Sequence, residues 1–275
     1  MAMRIRDVVR VGLLVAAAAA ILVLERRRQA RPYVERRRLH RSRNLVMAGL
    51  AAATVHLLEA PLVVPLARVV ARRKWGLTHV IGGRRWLRQL IAIALLDYTL
   101  YLWHIVVHRV AWLWRFHLVH HVDLDLDATT GLRFHAGELA TSIPWRAAQV
   151  IVIGVTPQAL AAWQTLTLLS VLFHHSNTAL SEPVERALSW IVATPRMHAI
   201  HHSVDPCQQH SNFSSGLALW DRLHGTARFD AAAGEVIIGV DGHRDRRDAR
   251  LGRILELPFG RRAVLAAPTD SRLSG

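Results

Sequence analysis

The sequence predicts an all-α integral membrane protein with about three membrane spans and a short helical hairpin, carrying a histidine-rich helical metal domain on the cytoplasmic face. Three observations lead there. Long apolar runs alternate with charged blocks, so that 52% hydrophobic and 20% charged residues coexist in 275 positions. Arginine clusters flank those runs. Finally, of the 17 histidines, several recur at spacings of three and four residues, which a helix gathers on one face.

The first run, residues 8–24 (VVRVGLLVAAAAAILVL), is roughly long enough to cross a hydrocarbon core of about 30 Å. It ends at ERRR and reads as an anchor with a stop, not as a cleaved leader. Residues 45–70 form a second apolar stretch, interrupted by His56, Glu59, Pro61 and Pro65. Ionisable groups are costly at that depth, so His56 and Glu59 are expected to face protein or a cavity. Residues 86–107 make a third span, with Asp97 and His104 in its second half. Residues 145–173 are apolar again but broken by Gly154, Thr156 and Pro157. Two full crossings need about forty residues, so this run is expected to enter and leave on one side as a hairpin.

The arginine-rich stretch 25–44 (ERRRQARPYVERRRLHRSRN) is expected to be a cytoplasmic loop attracted to anionic lipid. Counting crossings from it brings every histidine group to the cytoplasmic face. In this count Arg72, Arg73, Lys74, Arg84, Arg85 and Arg88 fall on the far side; a re-entrant second stretch would move them. Three divisions follow: anchor spans and arginine-rich loop over 1–85, a histidine-bearing catalytic domain over 86–230, and a C-terminal extension over 231–275 whose last fifteen or so residues are expected to be loose.

The net charge is +15, and Lys74 is the sole lysine. The charge lies beside apolar runs, with no aromatic interleaving and no nucleic-acid motif, so it is read as juxtamembrane and nucleic acid is not an expected partner. The arginine- and alanine-rich, lysine-poor composition resembles that of a bacterial chain, which places it in the inner (cell) membrane. Cys207 is the only cysteine, which excludes a disulfide framework and cysteine-based metal sites; metal ligands must be nitrogen or oxygen.

His104 and His108 (HIVVH) stand at i,i+4 on the third span. Asp97 falls within about 20° of their face, where a carboxylate can orient an imidazole. HLVHH (117–121) sets His117, His120 and His121 on one face, and HAIHH (198–202) repeats this with His198, His201 and His202. Eight histidines exceed the needs of one ion; two ions with four or five ligands each fit better. His40, His56, His79, His210, His224 and His243 stand alone and are read as ordinary surface or core residues. Imidazole suits iron, zinc and copper alike. No nucleophile elbow or phosphate loop stands out, which favours a redox metal.

The boxes HIVVH, HLVHH and HAIHH resemble those of the membrane-bound fatty acid hydroxylase and sterol desaturase superfamily. DYTLYLWH, WRFHLVHHVDLDLDATTGLRFHAGE, FHHSN, TPRMHAIHH and NFSSGLALWDRLHGT resemble that family's successive signatures in order over residues 97–226, and LELPF resembles its closing segment. The resemblance implies a centre of two irons, with zinc possible in isolated protein, held by His104, His108, His117, His120, His121, His135, His175, His198, His201 and His202. His174 stands where the family usually has another residue and ranks below His175. Asp97, Asp127, Arg133, Glu138, Asn177, Asn212 and Asp221 match polar positions that support such a centre. Ala136, Phe213 and Ser214 depart from the usual proline, tyrosine and glycine. The implied reaction takes O2 and two electrons to hydroxylate, or desaturate, a C–H bond of a lipid: acyl, sterol, carotenoid or ether lipid. The chain has no flavin motif, haem signature or cysteine cluster, so a separate ferredoxin, cytochrome or reductase is implied as electron donor. Two other readings stay open: a non-catalytic membrane protein holding zinc, and a zinc-dependent membrane hydrolase, the latter weakened by the lack of a glutamate base beside a histidine pair.

Overall fold

Helix α1 (Ile5–Arg27) carries the first apolar run, and its exposed Leu13, Val15, Leu22 and Val23 leave an apolar face without a protein partner. The computed structural model of the chain describes residues 5–260, and among these the regular elements are all helices, with isolated backbone bridges and no strand. The loose end expected at the C-terminus lies outside the described residues.

The second apolar run lies within a longer, unbroken helical stretch. Helix α2 (Arg37–Thr54) passes through a π-helical turn (Val55–Glu59) directly into α3 (Ala60–Arg73). At 1.5 Å per residue this continuous rod is about 55 Å long. No reversing turn interrupts it. Pro61 sits in the first turn of α3, and Pro65 lies inside it; a proline cannot donate to the helical ladder, and a widened turn just upstream accommodates that loss. Glu59 is buried and faces Arg146 at 3.8 Å, as expected of an acid at this depth. His56 is not: it is exposed on the outer side of the rod.

After a short α4 (Leu77–Ile81), α5 (Arg85–Arg109) carries the third run. Two segments, Arg37–Ile81 and Arg85–Arg109, are long and apolar enough to cross a membrane, and only 17% and 33% of their apolar windows is buried within the protein. The core helix of a soluble protein would be mostly buried. Here Leu45, Leu50, Leu57, Leu62, Trp86 and Leu90 are exposed, so the chain presents the surface of a membrane protein.

Helices α7 (Ala136–Ile153) and α8 (Pro157–His175) form the expected helix–turn–helix. Gly154 ends α7 in the left-handed region at φ 83°, and the Thr156 hydroxyl caps α8 by accepting from Ala159 N. The arms do not pair with each other as a simple hairpin would. Helix α7 packs mainly on α3, and α8 on α5. Their shared core is Val63, Ala67, Leu96, Val150, Leu160 and Trp163.

The remaining elements are short: α6 (Ala111–His121), α9 (Glu182–Leu188), α10 (Pro195–His201), α11 (Pro206–Gln209), α12 (Leu219–Leu223) and α13 (Leu251–Glu256). The segment expected as a C-terminal extension packs inward. Ile254 and Val240 join Met47, Trp114 and Leu118, while Val236 and Ile238 cover Ala199 and Ile200.

The arginine-rich stretch is also corrected. It is not a loop throughout, because its C-terminal part is the start of α2 and some of its charges are folded against residues 123–133. His40 meets Asp123 at 2.8 Å, Arg41 meets Asp127 at 2.9 Å, and Asp125 accepts the backbone N–H groups of Val34 and Glu35. Arg133, fully buried, reaches Asp123 at 3.3 Å and donates to the Val119 carbonyl. Burial alone would push Asp123 and Asp127 up, but Arg133 and His40 for the first, and His40, Thr129 and Arg41 for the second, hold both below the usual carboxylate range. Arg26, Arg27, Arg28, Arg36 and Arg38 remain exposed.

Candidate metal centre

Three helices deliver the histidine boxes to one buried point. Helix α5 brings His104 and His108, α6 brings His117, His120 and His121, and α10 with its C-cap brings His198, His201 and His202. Helix α10 is only seven residues long and is started by Thr194, whose hydroxyl accepts from Met197 N at 3.3 Å. The last residue of α8, His175, completes the set.

These nine histidines form two groups. His104, His108, His117, His121 and His201 place one ring nitrogen each within 4.8 Å of one another, and so do His120, His175, His198 and His202. Every member is buried. The division is interleaved. Helix α6 gives its i,i+4 pair, His117 and His121, to the first group and His120 to the second; α10 gives His198 and His202 to the second and His201 to the first. The groups touch, with the His121 and His202 rings stacked at 4.2 Å.

Hydrogen bonds from the outside fix which nitrogen faces inward. Nδ1–H of His104 donates to the Phe213 carbonyl at 2.7 Å, that of His201 to the Ser211 carbonyl at 2.8 Å, and that of His175 to the Val171 carbonyl at 2.8 Å. His117 Nδ1 donates to Glu138 Oε1 at 2.8 Å. A carbonyl or carboxylate only accepts, so each of these imidazoles turns an Nε2 lone pair inward. The inward nitrogens lack partners: Nε2 of His117 and of His201, and both nitrogens of His108 and His121, are buried and unbonded. In the second group the Nε2 atoms of His120, His175, His198 and His202 lie 2.9 to 3.1 Å apart in a chain. Burial first, and then neighbouring imidazoles, push His120, His121, His198, His201 and His202 well below the ordinary histidine range, so these rings are neutral.

Convergent neutral lone pairs repel unless a cation lies between them. An ion bonding imidazole at about 2.1 Å spans up to about 4.2 Å between opposite ligands, close to the spread of each group. The residues present therefore fit two metal ions. Aromatic rings close the centre to water: Phe134 stacks on His120 at 4.7 Å, Trp114 lies 4.9 Å from His108, and Phe213 lies 5.2 Å from His108.

His135 is not brought to either group. Its Nδ1 caps α7 by accepting from Gly137 N at 2.9 Å, and its ring lies against Phe116 and Phe259. His174 is buried, with its ring 4.1 Å from that of His198, but it belongs to neither group. Asp97 accepts from Leu217 N at 2.9 Å and Trp220 Nε1 at 2.8 Å, and a Cβ on Gly216 would lie 2.0 Å from its Oδ1. Asp221 accepts from Phe213 N and Ser214 N, and Asn212 donates to the Met197 carbonyl, so both hold the segment whose carbonyls orient His104 and His201. Asn177 ties Arg31 to the end of α8, and Asp127 and Arg133 belong to the charged network described above. Three features were not singled out in the sequence: Asp123 as hub of that network, His40 as its partner, and the carbonyls of Phe213, Ser211 and Val171. Carbonyl acceptors leave no sequence signal, since every residue has one.

The fatty acid hydroxylase family model matches residues 89–226, half of the chain. The chain belongs to the fatty acid hydroxylase family. Its relatives are lipid hydroxylases and monooxygenases. It is 29% identical over 131 residues to the alkylglycerol monooxygenase of Xenopus tropicalis, covering 47% of this chain and 28% of that one. It is 28% identical over 153 residues to an ornithine lipid hydroxylase of Rhizobium tropici, covering 55% and 45%. The cholesterol 25-hydroxylase of Rattus norvegicus is 29% identical over 142 residues, covering 50% and 46%. The matched stretch thus spans less than half the length of each of these relatives. No solved structure matches the chain significantly.

The hydrogen bond to His117 makes Glu138→Ala a direct test of the inward orientation. Metal affinity is expected to fall about 10- to 100-fold, whereas His135→Ala should leave metal content unchanged. Metal titration followed by elemental analysis checks both, and equal losses would contradict the placement of His135. The neutral histidines also predict a pH dependence for the metal-free protein. Their folded-state values lie below the unfolded value of about 6.5, so on acidification the unfolded chain takes up protons first and stability falls as pH drops below about 6.5. The thermal midpoint of metal-stripped protein in detergent should decline from about pH 7.5 to 5.5; a flat profile would contradict it.

Proposed function

We propose that the chain is a membrane-bound di-iron oxygenase that hydroxylates a lipid C–H bond. The observation that carries this reading is the pair of interleaved, buried histidine groups whose ring nitrogens converge on two points, inside a chain whose helices expose apolar side chains along their length. His104, His108, His117, His121 and His201 would hold one iron, and His120, His175, His198 and His202 the other. Two bound irons would supply the redox chemistry that a nitrogen-only ligand set and neutral side chains lack. The net reaction is R–H + O2 + 2 electrons + 2 H+ giving R–OH + H2O.

The protein's own contribution is orientation and exclusion. Glu138 and the carbonyls of Phe213, Ser211 and Val171 lock the ligand rings in one tautomer before any metal arrives. Trp114, Phe134 and Phe213 keep water from the centre, which protects a strong oxidant from quenching. Lipid is expected to reach the histidines from the bilayer along α5, α7 and α8. The relatives that act on alkylglycerols, ornithine lipids and cholesterol support a lipid as substrate without choosing among them. The two electrons come from a separate donor protein, for which the exposed arginines of residues 26–38 form a cationic landing surface. The arginine-rich segment and the histidine centre are read as cytoplasmic, and the membrane as the bacterial inner membrane.

The test is purification in detergent after expression with iron, elemental analysis, and lipid analysis of cells with and without the gene under air and under nitrogen. Two irons per chain and an oxygen-dependent hydroxylated lipid are expected. Stoichiometric zinc with no oxygen-dependent lipid change would overturn the reading.

A further inference from the structure

Two short segments beside α5 carry an apolar surface that is left uncovered among the described residues. Trp190 and Ile191, just after α9, are 63% and 61% exposed; Leu219 and Leu223, one turn apart on α12, are 50% and 66% exposed. The segments are joined, so these side chains belong to one lobe. Ala193 N donates to the Gly216 carbonyl, Ala218 N donates to the Ile191 carbonyl, and the Arg222 guanidinium lies 3.8 Å from the centre of the Trp190 ring. The other side of α12 is bonded inward. Asp221 is fully buried and accepts from Phe213 N and Ser214 N, and Trp220 Nε1 donates to Asp97. Large apolar side chains grouped on an outer surface mark a contact site.

The anchoring of this lobe sets its depth. Leu217 N and Trp220 Nε1 are held by Asp97, and His224 Nε2 lies 3.1 Å from the Tyr98 hydroxyl. Both ties are made in the middle of the apolar run 86–107, six and seven residues before His104. At 1.5 Å per residue that is about 10 Å from His104 along α5, towards the end where Trp86 and Leu90 are exposed. The lobe therefore lies alongside the apolar, outward-facing part of α5 and continues its surface. Its charges suit a membrane edge: Arg222 lies over Trp190, and Arg186 and Glu182 of α9 are exposed. Tryptophan at the boundary, with arginine reaching from an apolar surface towards headgroups, is common at membrane interfaces. A second copy of the chain fits less well, because four large side chains are few against the roughly 20–30 residues that each partner contributes to a stable protein interface.

We propose that the lobe formed by α9, α12 and the residues that join them to α5 is seated in the bilayer, with Trp190, Ile191, Leu219 and Leu223 at the boundary between headgroups and acyl chains. Lipid then forms the outer wall of the element whose inner side holds Phe213 and Ser214. Interfacial elements of this kind sink about 5–10 Å into that boundary. The proposal rests on the membrane reading of the chain and not on its metal.

The test uses the full chain in lipid nanodiscs, with the exposed Cys207 replaced by Ser and a nitroxide attached to one introduced cysteine at a time. Ile191→Cys and Leu223→Cys probe the lobe. Leu57→Cys, on the exposed side of the long rod, is the lipid reference, and Asp241→Cys, on an exposed charged segment, is the water reference. All four positions are exposed, so the label displaces no core side chain. Collisions with O2, which concentrates among acyl chains, are compared with collisions with a water-soluble nickel chelate. The ratio of the two should be at least about fivefold higher at 191 and 223 than at 241, and should approach that at 57. A ratio at 191 or 223 equal to that at 241 would overturn the proposal, since the lobe would face water. Exclusion of both reagents from 191 and 223 would also overturn it, since protein would then cover the patch. A water-like ratio at 57 would overturn the membrane reading as well, so the two failures are distinguishable.

Discussion

His198→Ala is expected to remove about half of the bound metal and to lower turnover at least about 100-fold. It deletes one of only four nitrogens in the second group, in a space walled by buried rings. His201→Ala deletes one of five in the first group. It should therefore retain more metal than His198→Ala while losing turnover to a similar extent, because reaction requires both positions. Metal per chain by elemental analysis, read beside product by lipid mass spectrometry, separates the two variants. If either kept turnover within about tenfold of the parent, its assignment as a ligand would be wrong.

Asp123→Ala should be the most destabilising substitution outside the histidine centre. Asp123 is fully buried and touches His40 at 2.8 Å, Thr130 at 3.1 Å and Arg133 at 3.3 Å. Removing it leaves a buried guanidinium uncompensated, for which losses of about 3–5 kcal/mol are typical. The same residue predicts an acid limit distinct from that of the histidines. Its folded-state value lies below the unfolded value of about 3.9, so its contribution is fully present above that pH and is lost only as pH falls further, through the folded value. In the parent, unfolding on acidification should show a second decline below about pH 4 that is smaller in the Asp123→Ala variant, which retains Asp127. Thermal midpoints in detergent across pH 3 to 7 check both the loss and the reduced decline; a variant as stable as the parent would contradict the buried network.

The parts of this architecture that depend on near neighbours in the chain were legible in the sequence. His117, His120 and His121 share a face because helical geometry fixes spacing over one turn, and the same arithmetic located His104 with His108 and His198 with His201 and His202. It failed where direction was mistaken for distance. Asp97 lies on the same side of α5 as the first box, yet its carboxylate is taken by Leu217 and Trp220, on a segment more than a hundred residues later. The arginine-rich stretch read as a free loop for a similar reason: the partners of His40 and Arg41 are Asp123 and Asp127, some eighty residues away. His135 was grouped with the ligands by motif, but a histidine just before a helix can accept from an amide of its first turn instead, and here it accepts from Gly137 N. Neither local pattern nor motif could reveal that α7 and α8 part after their turn, since packing of apolar faces is set by partners, not by the face itself.

The interleaving of the two groups has a consequence for spacing. His120 and His121 are adjacent in the chain, as are His201 and His202, and in each pair the side chains enter different groups with ring centres 5.5 and 5.4 Å apart. The interval between the groups is thus gauged twice, by the rotation between consecutive residues at the ends of two short helices, and no flexible loop enters into it. Two such rulers, set side by side, hold a distance that neither could change without the other, so a stretch or slip in one helix is resisted by the register of its neighbour.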